Sequence, residues 1–330
     1  GCKAMANDAQ QRLALVDCGT NTFTLQIANV ESGRWESVFR QRRFVRIGLN
    51  SFRTGKISPD RMRRGLDVLT SFKETACNYN VTHVRAVGCS ALRDARNGSD
   101  FVRLANDVAW PIEVIDGKQE ADWIHLGVAD TVSEDHLGDG PVLTMDIGGG
   151  SVELILWNHQ GLVKAWSLDL GVARLTDWIK PSDPLSPSDL LSMKRVVGQA
   201  LEPVLSHCEG HPPAMLVGTS GAFNTLAVME NPMSQWHPRS QADVLPLASL
   251  RSRCKAILGM TKVELSATEN VHPDRVPYMS VACALIEQVM EAFPSIHRVL
   301  RSRHTLAEGV FVEAAQSPNG LPKGWQPLQV

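Results

Sequence analysis

The stretch Val142–Leu156 constrains the fold more than any other part of the chain. It is an apolar run that stops at Asp146, passes through three consecutive glycines and Ser151, and becomes apolar again. Glycines lack a Cβ, so the N–H groups of Gly148–Gly150 can approach an anion closely, and Ser151 adds a hydroxyl. The pattern predicts a strand, a phosphate-binding loop and a second strand. An ordinary glycine-rich hairpin is the alternative, because short glycine motifs often match by chance.

A second copy of this pattern lies near the N-terminus, at Leu13–Ile27. When Asp17 is aligned with Asp146, the glycines, hydroxyl residues and apolar positions of the two stretches coincide. The coinciding pairs are Gly19 with Gly148, Thr22 with Ser151 and Leu25 with Leu154. A repeat so widely separated is too long for a solenoid period and predicts two similar lobes. Two such loops facing each other across a cleft would hold opposite ends of a phosphate chain, with an aspartate from each lobe available to hydrated Mg²⁺.

Composition favours a globular protein of about two domains. The chain has 330 residues, is 43% hydrophobic and carries a formal net charge of −2, which leaves no large cationic field for duplex nucleic acid or an anionic membrane. No apolar run approaches the ~20 residues that a membrane-spanning helix needs. The seven cysteines are scattered without a C-x-x-C pair, which is typical of reduced thiols in a cytoplasmic protein. Cys18 lies in the first loop, but Ile147 occupies its place in the second, which favours a packed side chain over a nucleophile.

The first lobe is predicted to alternate strands and helices after its opening hairpin. An arginine-rich strand is expected at 36–45 and a buried strand at 81–88. Arg93 follows that strand closely, so it would lie at the carboxyl end, where open α/β sheets bind ligands. A helix is expected to begin near 117–123 with Glu120 in its first turn. An acidic side chain there stabilises the helix dipole by itself, so a purely structural role for Glu120 stays open.

The second lobe repeats the plan. Beyond the glycine loop, a strand is expected at 163–168 and a helix at 190–205. A third strand would end near Gly218 and enter a helix through Ser220 and Gly221. The N-terminus of that helix could bind another phosphate or the sugar of a nucleotide.

Several ordered motifs together resemble the exopolyphosphatase/guanosine pentaphosphate phosphohydrolase family, within the superfamily of sugar kinases, actin and the heat-shock chaperone ATPases. The resemblance runs from about Leu13 to Phe311, and its most specific parts are residues 17–22, 91–98, the Asp146 loop with Glu153, and 167–175. It implies an α/β fold of two ribonuclease H-like (actin-like ATPase) lobes with a central interdomain cleft. The first lobe would span residues 12–125 and the second 126–305. A C-terminal helix and tail, 306–330, would follow and can return to the first lobe.

The resemblance also implies a site. Phosphate would be held by both aspartate loops and by Arg93, a divalent metal, Mg²⁺ or Mn²⁺, would lie near Asp146 and Glu153, and Glu120 would be the catalytic glutamate. Phosphoryl transfer to water needs mainly charge neutralisation, alignment and a positioned nucleophile, and these groups can supply them. The predicted phosphate-binding residues are Asp17, Gly19, Thr20, Asn21, Thr22, Gly148, Gly149, Gly150, Ser151, Gly218, Ser220 and Gly221.

Two departures from the family pattern bear on substrate preference and turnover more than on fold. Asp122 and Ala307 stand where family members usually carry arginine. The expected activity is release of terminal orthophosphate from inorganic polyphosphate. Hydrolysis of the 5′ γ-phosphate of guanosine pentaphosphate is the alternative, and a non-catalytic polyphosphate or nucleotide sensor is a second one. Intact Glu120, Asp146 and Glu153 favour an enzyme, whereas the oligomeric state, a homodimer included, stays open.

Overall fold

The structure is a computed structural model that describes residues 10–138, 140–234 and 241–329. The strands are β1 (Gln11–Cys18), β2 (Thr22–Glu31), β3 (Arg34–Phe44), β4 (His83–Gly88), β5 (Ile112–Val114), β6 (Val142–Ile147), β7 (Val152–Asn158), β8 (Gly161–Leu168), β9 (Met215–Thr219), β10 (Asp243–Leu245), β11 (Arg298–Arg301) and β12 (Gln326–Pro327). The helices are α1 (Ser51–Thr54), α2 (Pro59–Asn78), α3 (Ser90–Asp94), α4 (Gly98–Asp107), α5 (Gly117–Ala129), α6 (Val172–Ile179), α7 (Pro187–Cys208), α8 (Gly221–Glu230), α9 (Leu247–Leu258), α10 (Lys262–Ser266), α11 (Met279–Ala292) and α12 (Leu306–Gln316).

The chain divides into two compact units. One contains the residues up to Gly127 together with those from Leu306 onward, and the other is Val128–Thr305. The C-terminal helix α12 therefore belongs to the first unit. Within that unit, α12 packs very closely on α5. A Cβ added to Gly309 would lie only 1.7 Å from the carbonyl oxygen of Trp123. Glycine at this position lets the two helices touch.

The first unit is built on a mixed sheet with strand order β12-β4-β1-β2-β3, and β5 also pairs with β4. Strands β1, β2 and β3 form an antiparallel meander, whereas β1, β4 and β5 run parallel. The centre of β1, Leu13–Val16, is fully buried, as expected for a strand covered on both faces. Because β1, β4 and β5 are parallel, the segments that follow them emerge at one edge of the sheet.

The second unit repeats this plan with the order β10-β11-β9-β6-β7-β8. Strands β6, β7 and β8 form the antiparallel meander, and β6, β9 and β11 run parallel. Every residue of β6 is buried. The prediction of two α/β lobes with the same strand plan is confirmed.

Local sequence signals account for several element boundaries. Helix α2 begins after Ser58, whose side chain accepts from the Arg61 amide, and Pro59 occupies the first helical position. Helix α7 begins with a capping box formed by Ser186 and Asp189. Within the described residues, every helix is too short or too polar to cross a lipid bilayer.

Candidate active site

The first predicted phosphate loop is a tight turn between β1 and β2. Cys18 pairs with Phe23, and the amide of Gly19 donates to the carbonyl of Thr22 at 3.0 Å. A Cβ on Gly19 would lie 2.9 Å from that carbonyl oxygen, which explains the glycine. Burial, with the charge of Asp17 adding to it, raises the pKa of the Cys18 thiol well above its ordinary value. A buried thiol that stays protonated serves as a packed core side chain and not as a nucleophile, as predicted.

The second loop has the same geometry. Ile147 pairs with Val152, and the amide of Gly148 donates to the carbonyl of Ser151 at 3.0 Å. A Cβ on Gly148 would lie 2.9 Å from that oxygen, the same separation as in the first loop. The duplication seen in the sequence is therefore a duplication of one hairpin turn.

Helix α6 supports the second loop from behind. The amides of Val172 and Ala173 donate to the carbonyls of Gly148 and Gly149 at 3.0 and 2.8 Å. A Cβ on Gly171 would lie 2.3 Å from the backbone of the loop, so a side chain there would displace it. Since the C=O and N–H of one trans peptide point in opposite directions, the amides that follow these carbonyls point away from α6. This is the orientation that a loop needs to present N–H groups to an anion.

Segments that follow β3 support the first loop in the same manner. The amide of Gly48 donates to the carbonyl of Thr20 at 3.0 Å, and that of Arg46 donates to the carbonyl of Asn21 at 2.8 Å. The amides of Asn21 and Thr22 are thereby turned away from this support. The Oδ1 atom of Asn21 is buried without a hydrogen-bond partner, and because an amide oxygen only accepts, it adds no donor for an anion.

Asp146 and Glu153 are directly opposed residues of β6 and β7. Asp146 is 5% exposed and Glu153 is 1% exposed. The hydroxyl of Ser220 donates to Oδ1 of Asp146 at 2.6 Å, and the hydroxyl of Thr305 donates to Oδ2. The hydroxyl of Ser167 donates to Oε1 of Glu153 at 2.7 Å. Both carboxylates are thus held from behind by neutral hydroxyl groups.

This pair fits a divalent cation. Like charges directly opposite each other on adjacent strands repel, and a divalent cation bound by both carboxylates would offset this repulsion. The described residues hold no cluster of three or more histidine, cysteine or acidic side chains that could bind a metal. Mg²⁺ commonly takes one or two carboxylates and fills its remaining positions with water and substrate phosphates. The donor set therefore matches Mg²⁺ or Mn²⁺ better than a metal that needs a closed protein cage.

The third predicted binding segment joins β9 to α8. Ser220 has φ of 72°, an uncommon conformation for a residue other than glycine, and its hydroxyl contacts Asp146. A Cβ on Gly221 would lie 2.0 Å from the guanidinium of Arg275, so this glycine makes room for a cation at the start of α8. A Cβ on Gly218 would lie 2.2 Å from the Phe223 ring. Phosphate binding by Gly218, Ser220 and Gly221 stays a prediction.

Arg93 and Glu120 lie near each other in the first unit. Arg93 Nη1 is 3.8 Å from Glu120 Oε2 and donates to the carbonyl of Ile115 at 2.6 Å. Glu120 is 8% exposed and follows Asp116, whose side chain accepts from the Gln119 amide and caps α5. The helix therefore has its own cap, and Glu120 is not required for it.

Asp17 shares its sheet face with Arg40, a partly buried residue of β3. Burial lowers the pKa of Arg40, while the charges of Glu308 and Asp17 raise it. Asp17 pairs with Thr24, and Thr24 with Arg42, so Arg40, two residues away on β3, projects to the same face as Asp17. A guanidinium thus supplies positive charge beside the first loop.

The two departures from the family pattern have local consequences. Asp122 forms an ion pair with Lys118 at 2.8 Å on an exposed face of α5. Ala307 is 6% exposed and lies in α12 beside the buried Glu308. Both positions lie on the two helices that meet at Gly309.

Comparison with known proteins identifies the family. The sequence model of the Ppx/GppA phosphatase family matches residues 26–317. The chain belongs to the Ppx/GppA phosphatase family. Exopolyphosphatase 2 of Mycobacterium tuberculosis is 30% identical over 321 residues, which cover 93% of this chain and 99% of that protein. The guanosine-5′-triphosphate,3′-diphosphate pyrophosphatase of Vibrio cholerae is 26% identical over 304 residues, which cover 92% of this chain and 59% of that protein.

Solved structures of Ppx/GppA proteins share the fold. A crystal structure of an exopolyphosphatase from Cytophaga hutchinsonii superposes with a TM-score of 0.84 at 30% identity, covering 91% of this chain and 96% of that one. The PPX-GPPA enzyme of Aquifex aeolicus gives a TM-score of 0.75 at 25% identity, covering 92% of this chain and 99% of that one. The resemblance predicted from the motifs is confirmed.

Three residues that support the site were not predicted from the sequence. Thr305 orients Asp146, but it lies beyond strand β11, which was not predicted. Gly171 belongs to a motif that was noticed without a role. Arg275 carried no signal in the sequence. A search for small hydroxyl residues just after each buried strand could have found Thr305, because three parallel strands end at the same edge.

Proposed function

We propose that this protein is a metal-dependent exopolyphosphatase that releases terminal orthophosphate from inorganic polyphosphate. The observation that carries the proposal is its correspondence with exopolyphosphatase 2 of Mycobacterium tuberculosis over 99% of that protein. The duplicated phosphate-binding turn and the opposed Asp146 and Glu153 supply the chemistry that such a hydrolase needs.

Binding of phosphate is assigned to backbone amides. In the second unit, the amides of Gly149, Gly150 and Ser151 are turned away from α6, and in the first unit the amides of Asn21 and Thr22 are oriented likewise. Amide donors that are fixed before substrate arrives need no reorganisation when charge develops on the phosphoryl oxygens. Backbone binding also suits a polymer of identical units, because it recognises phosphate without any base or sugar.

Glu120 is assigned the role of orienting or deprotonating the nucleophilic water. A carboxylate that is 8% exposed and close to an arginine can accept a proton from water or orient it. Arg93 holds its guanidinium between Glu120 and the carbonyl of Ile115, so its direction is set before substrate binds. Its charge can then stabilise the negative charge that spreads over the transferred group.

Asp146 and Glu153 would hold Mg²⁺ or Mn²⁺. The ion would neutralise phosphoryl oxygens as a Lewis acid. The hydroxyls of Ser220, Thr305 and Ser167 keep the two carboxylates in place. A cytoplasmic location completes the proposal, supported by the free cysteines among the described residues.

Guanosine pentaphosphate is the second candidate substrate. The pyrophosphatase of Vibrio cholerae named for that nucleotide matches 92% of this chain, although the match covers 59% of that protein. A terminal phosphate is common to both substrates, so the same loops would serve either. The nucleotide substrate would need further contacts to its base and sugar.

Phosphate release from purified protein tests the proposal. Polyphosphates of defined length, guanosine pentaphosphate and ATP are each incubated with Mg²⁺ or with a chelator, and orthophosphate is measured. We expect Mg²⁺-dependent release that is fastest from polyphosphate. Asp146→Ala should abolish it, while excess metal should partly restore Glu153→Ala.

Three results would overturn parts of this proposal. Faster phosphate release from guanosine pentaphosphate than from polyphosphate would make the nucleotide the preferred substrate. Full activity in chelator would remove metal from the mechanism. Tight polyphosphate binding without turnover under any of these conditions would make the protein a sensor.

A further inference from the structure

Arg174 contacts the second phosphate loop with both its backbone and its side chain. It lies in the first turn of α6 and is 6% exposed. Its amide donates to the carbonyl of Gly149 at 3.1 Å, and its Nε donates to the carbonyl of Gly150 at 2.7 Å. The carbonyl of Gly150 also accepts from the amide of Gly171 at 3.3 Å. The guanidinium thus supplies the shortest bond to the last glycine carbonyl of the loop.

The charge of Arg174 already has partners besides this carbonyl. Asp169 Oδ1 lies 3.6 Å from Nη2, and the Trp178 ring centroid lies 5.7 Å from Cζ. Because a carboxylate and an aromatic ring hold this guanidinium in place, we expect Arg174 to affect the loop mainly through the fixed orientation of its N–H groups. The first loop differs here, because its carbonyls at Thr20 and Asn21 accept from backbone amides of the segment after β3.

The bond to Gly150 controls one particular peptide group. The C=O of Gly150 and the N–H of Ser151 belong to the same planar trans peptide and point in opposite directions. Glycine permits more backbone conformations than any other residue, so a peptide that follows glycines can rotate unless something holds it. Holding the carbonyl therefore aims the Ser151 amide.

We propose that Arg174 is a positioning residue that aims the Gly150–Ser151 peptide so that the Ser151 amide binds a phosphoryl group. This inference rests on the proposed function only in taking the second loop as a phosphate site. It assigns Arg174 no direct contact with substrate. The residue acts through the loop backbone.

Binding of inorganic phosphate and of pyrophosphate, measured by calorimetry with Mg²⁺ present, tests the inference without turnover. Arg174→Ala should weaken binding about 10- to 100-fold, as expected for loss of a charged hydrogen bond that orders the site. Arg174→Lys should recover only part of the affinity, because an ammonium lacks the planar fork. Methylguanidinium added to Arg174→Ala should restore binding, a result that general destabilisation would not produce.

Arg253→Ala is the matched control. Arg253 lies in the same unit and its Nε donates to Glu230 at 3.1 Å, so its loss also removes an arginine–carboxylate pair. We expect phosphate affinity within twofold of the wild type for this variant. Hydrogen exchange of the peptide that contains 148–151 should be faster in Arg174→Ala and unchanged in the control.

The outcomes separate this inference from the proposed function. If the wild type hydrolyses no polyphosphate but Arg174→Ala weakens phosphate binding with rescue, the proposed activity fails and the positioning role stands. If all variants bind phosphate and pyrophosphate equally, the positioning role is wrong whatever the turnover. Absence of phosphate binding by the wild type also overturns it. Should Arg174→Ala fail to fold, Arg174→Lys carries the comparison, and wild-type affinity in that variant would refute the role of the fork.

Discussion

Replacing Thr305 with valine removes one hydroxyl from the support of Asp146 and changes little else in volume. Asp146 is 5% exposed, and it accepts one bond from Ser220 at Oδ1 and one from Thr305 at Oδ2. A hydrogen bond to a charged group contributes about 1.5–3 kcal/mol to stability. Thr305→Val should therefore lower the free energy of unfolding by about 1.5–3 kcal/mol at neutral pH without metal.

The larger effect should appear in metal dependence. A carboxylate that keeps one of two hydroxyl donors can rotate about its Cβ–Cγ bond, so it presents its oxygens less consistently to an ion. Loss of an outer hydrogen-bond partner of a metal ligand typically costs about 10–100-fold in metal affinity or activity. We expect the Mg²⁺ concentration for half-maximal phosphate release to rise about 10–100-fold in Thr305→Val, with turnover largely recovered at saturating Mg²⁺.

The assay is a Mg²⁺ titration of phosphate release from polyphosphate, with denaturant unfolding measured on the same samples. Thr225→Val is the matched control, because the Thr225 hydroxyl is buried and donates to the carbonyl of Gly221 within its own helix. The control should lose stability without a change in Mg²⁺ dependence. If Thr305→Val kept the wild-type Mg²⁺ dependence and wild-type turnover, Asp146 would not be a metal ligand oriented by Thr305, and the metal assignment would need another basis.

Three further predictions concern the first unit. Glu120→Gln should keep the fold and phosphate binding but lower turnover about 10²–10⁴-fold, and near wild-type turnover would assign Glu120 to helix stability. Arg93→Ala should lower kcat strongly with a smaller rise in KM, and Arg93→Lys should recover part of it; a rise in KM alone would make Arg93 a simple binding contact. Burial lowers the pKa of His125, so the folded state binds fewer protons than the unfolded state below the ordinary histidine pKa of 6.5. Stability should therefore fall as the pH drops below about 6.5, and denaturant unfolding of His125→Gln should show a flatter dependence; an unchanged slope would contradict this.

Elements whose causes are local could be predicted from the sequence. Both glycine turns could be predicted from the sequence, because a tight turn that brings Gly19 against the Thr22 carbonyl, or Gly148 against that of Ser151, needs glycine within a few residues of the strand end. The start of α2 also has a local cause, since the Ser58 cap and Pro59 both act within one helical turn. The repeat then predicted two similar lobes, and the family motifs strengthened that inference.

Contacts between distant parts of the chain were decided only by the tertiary structure. The Thr305 hydroxyl reaches Asp146 across 159 residues, and that of Ser220 reaches it across 74, because β6, β9 and β11 end at one edge of the sheet. The sequence contains no local pattern for such a pair, since nothing near Ser220 or Thr305 in the chain points to Asp146 as the partner. Arg275 and Gly221 illustrate the same point, because the missing Cβ at Gly221 has meaning only once the guanidinium lies beside it. A turn is set by the covalent geometry of neighbouring residues, whereas the support of a carboxylate depends on strand order, which is fixed by burial of the whole sheet.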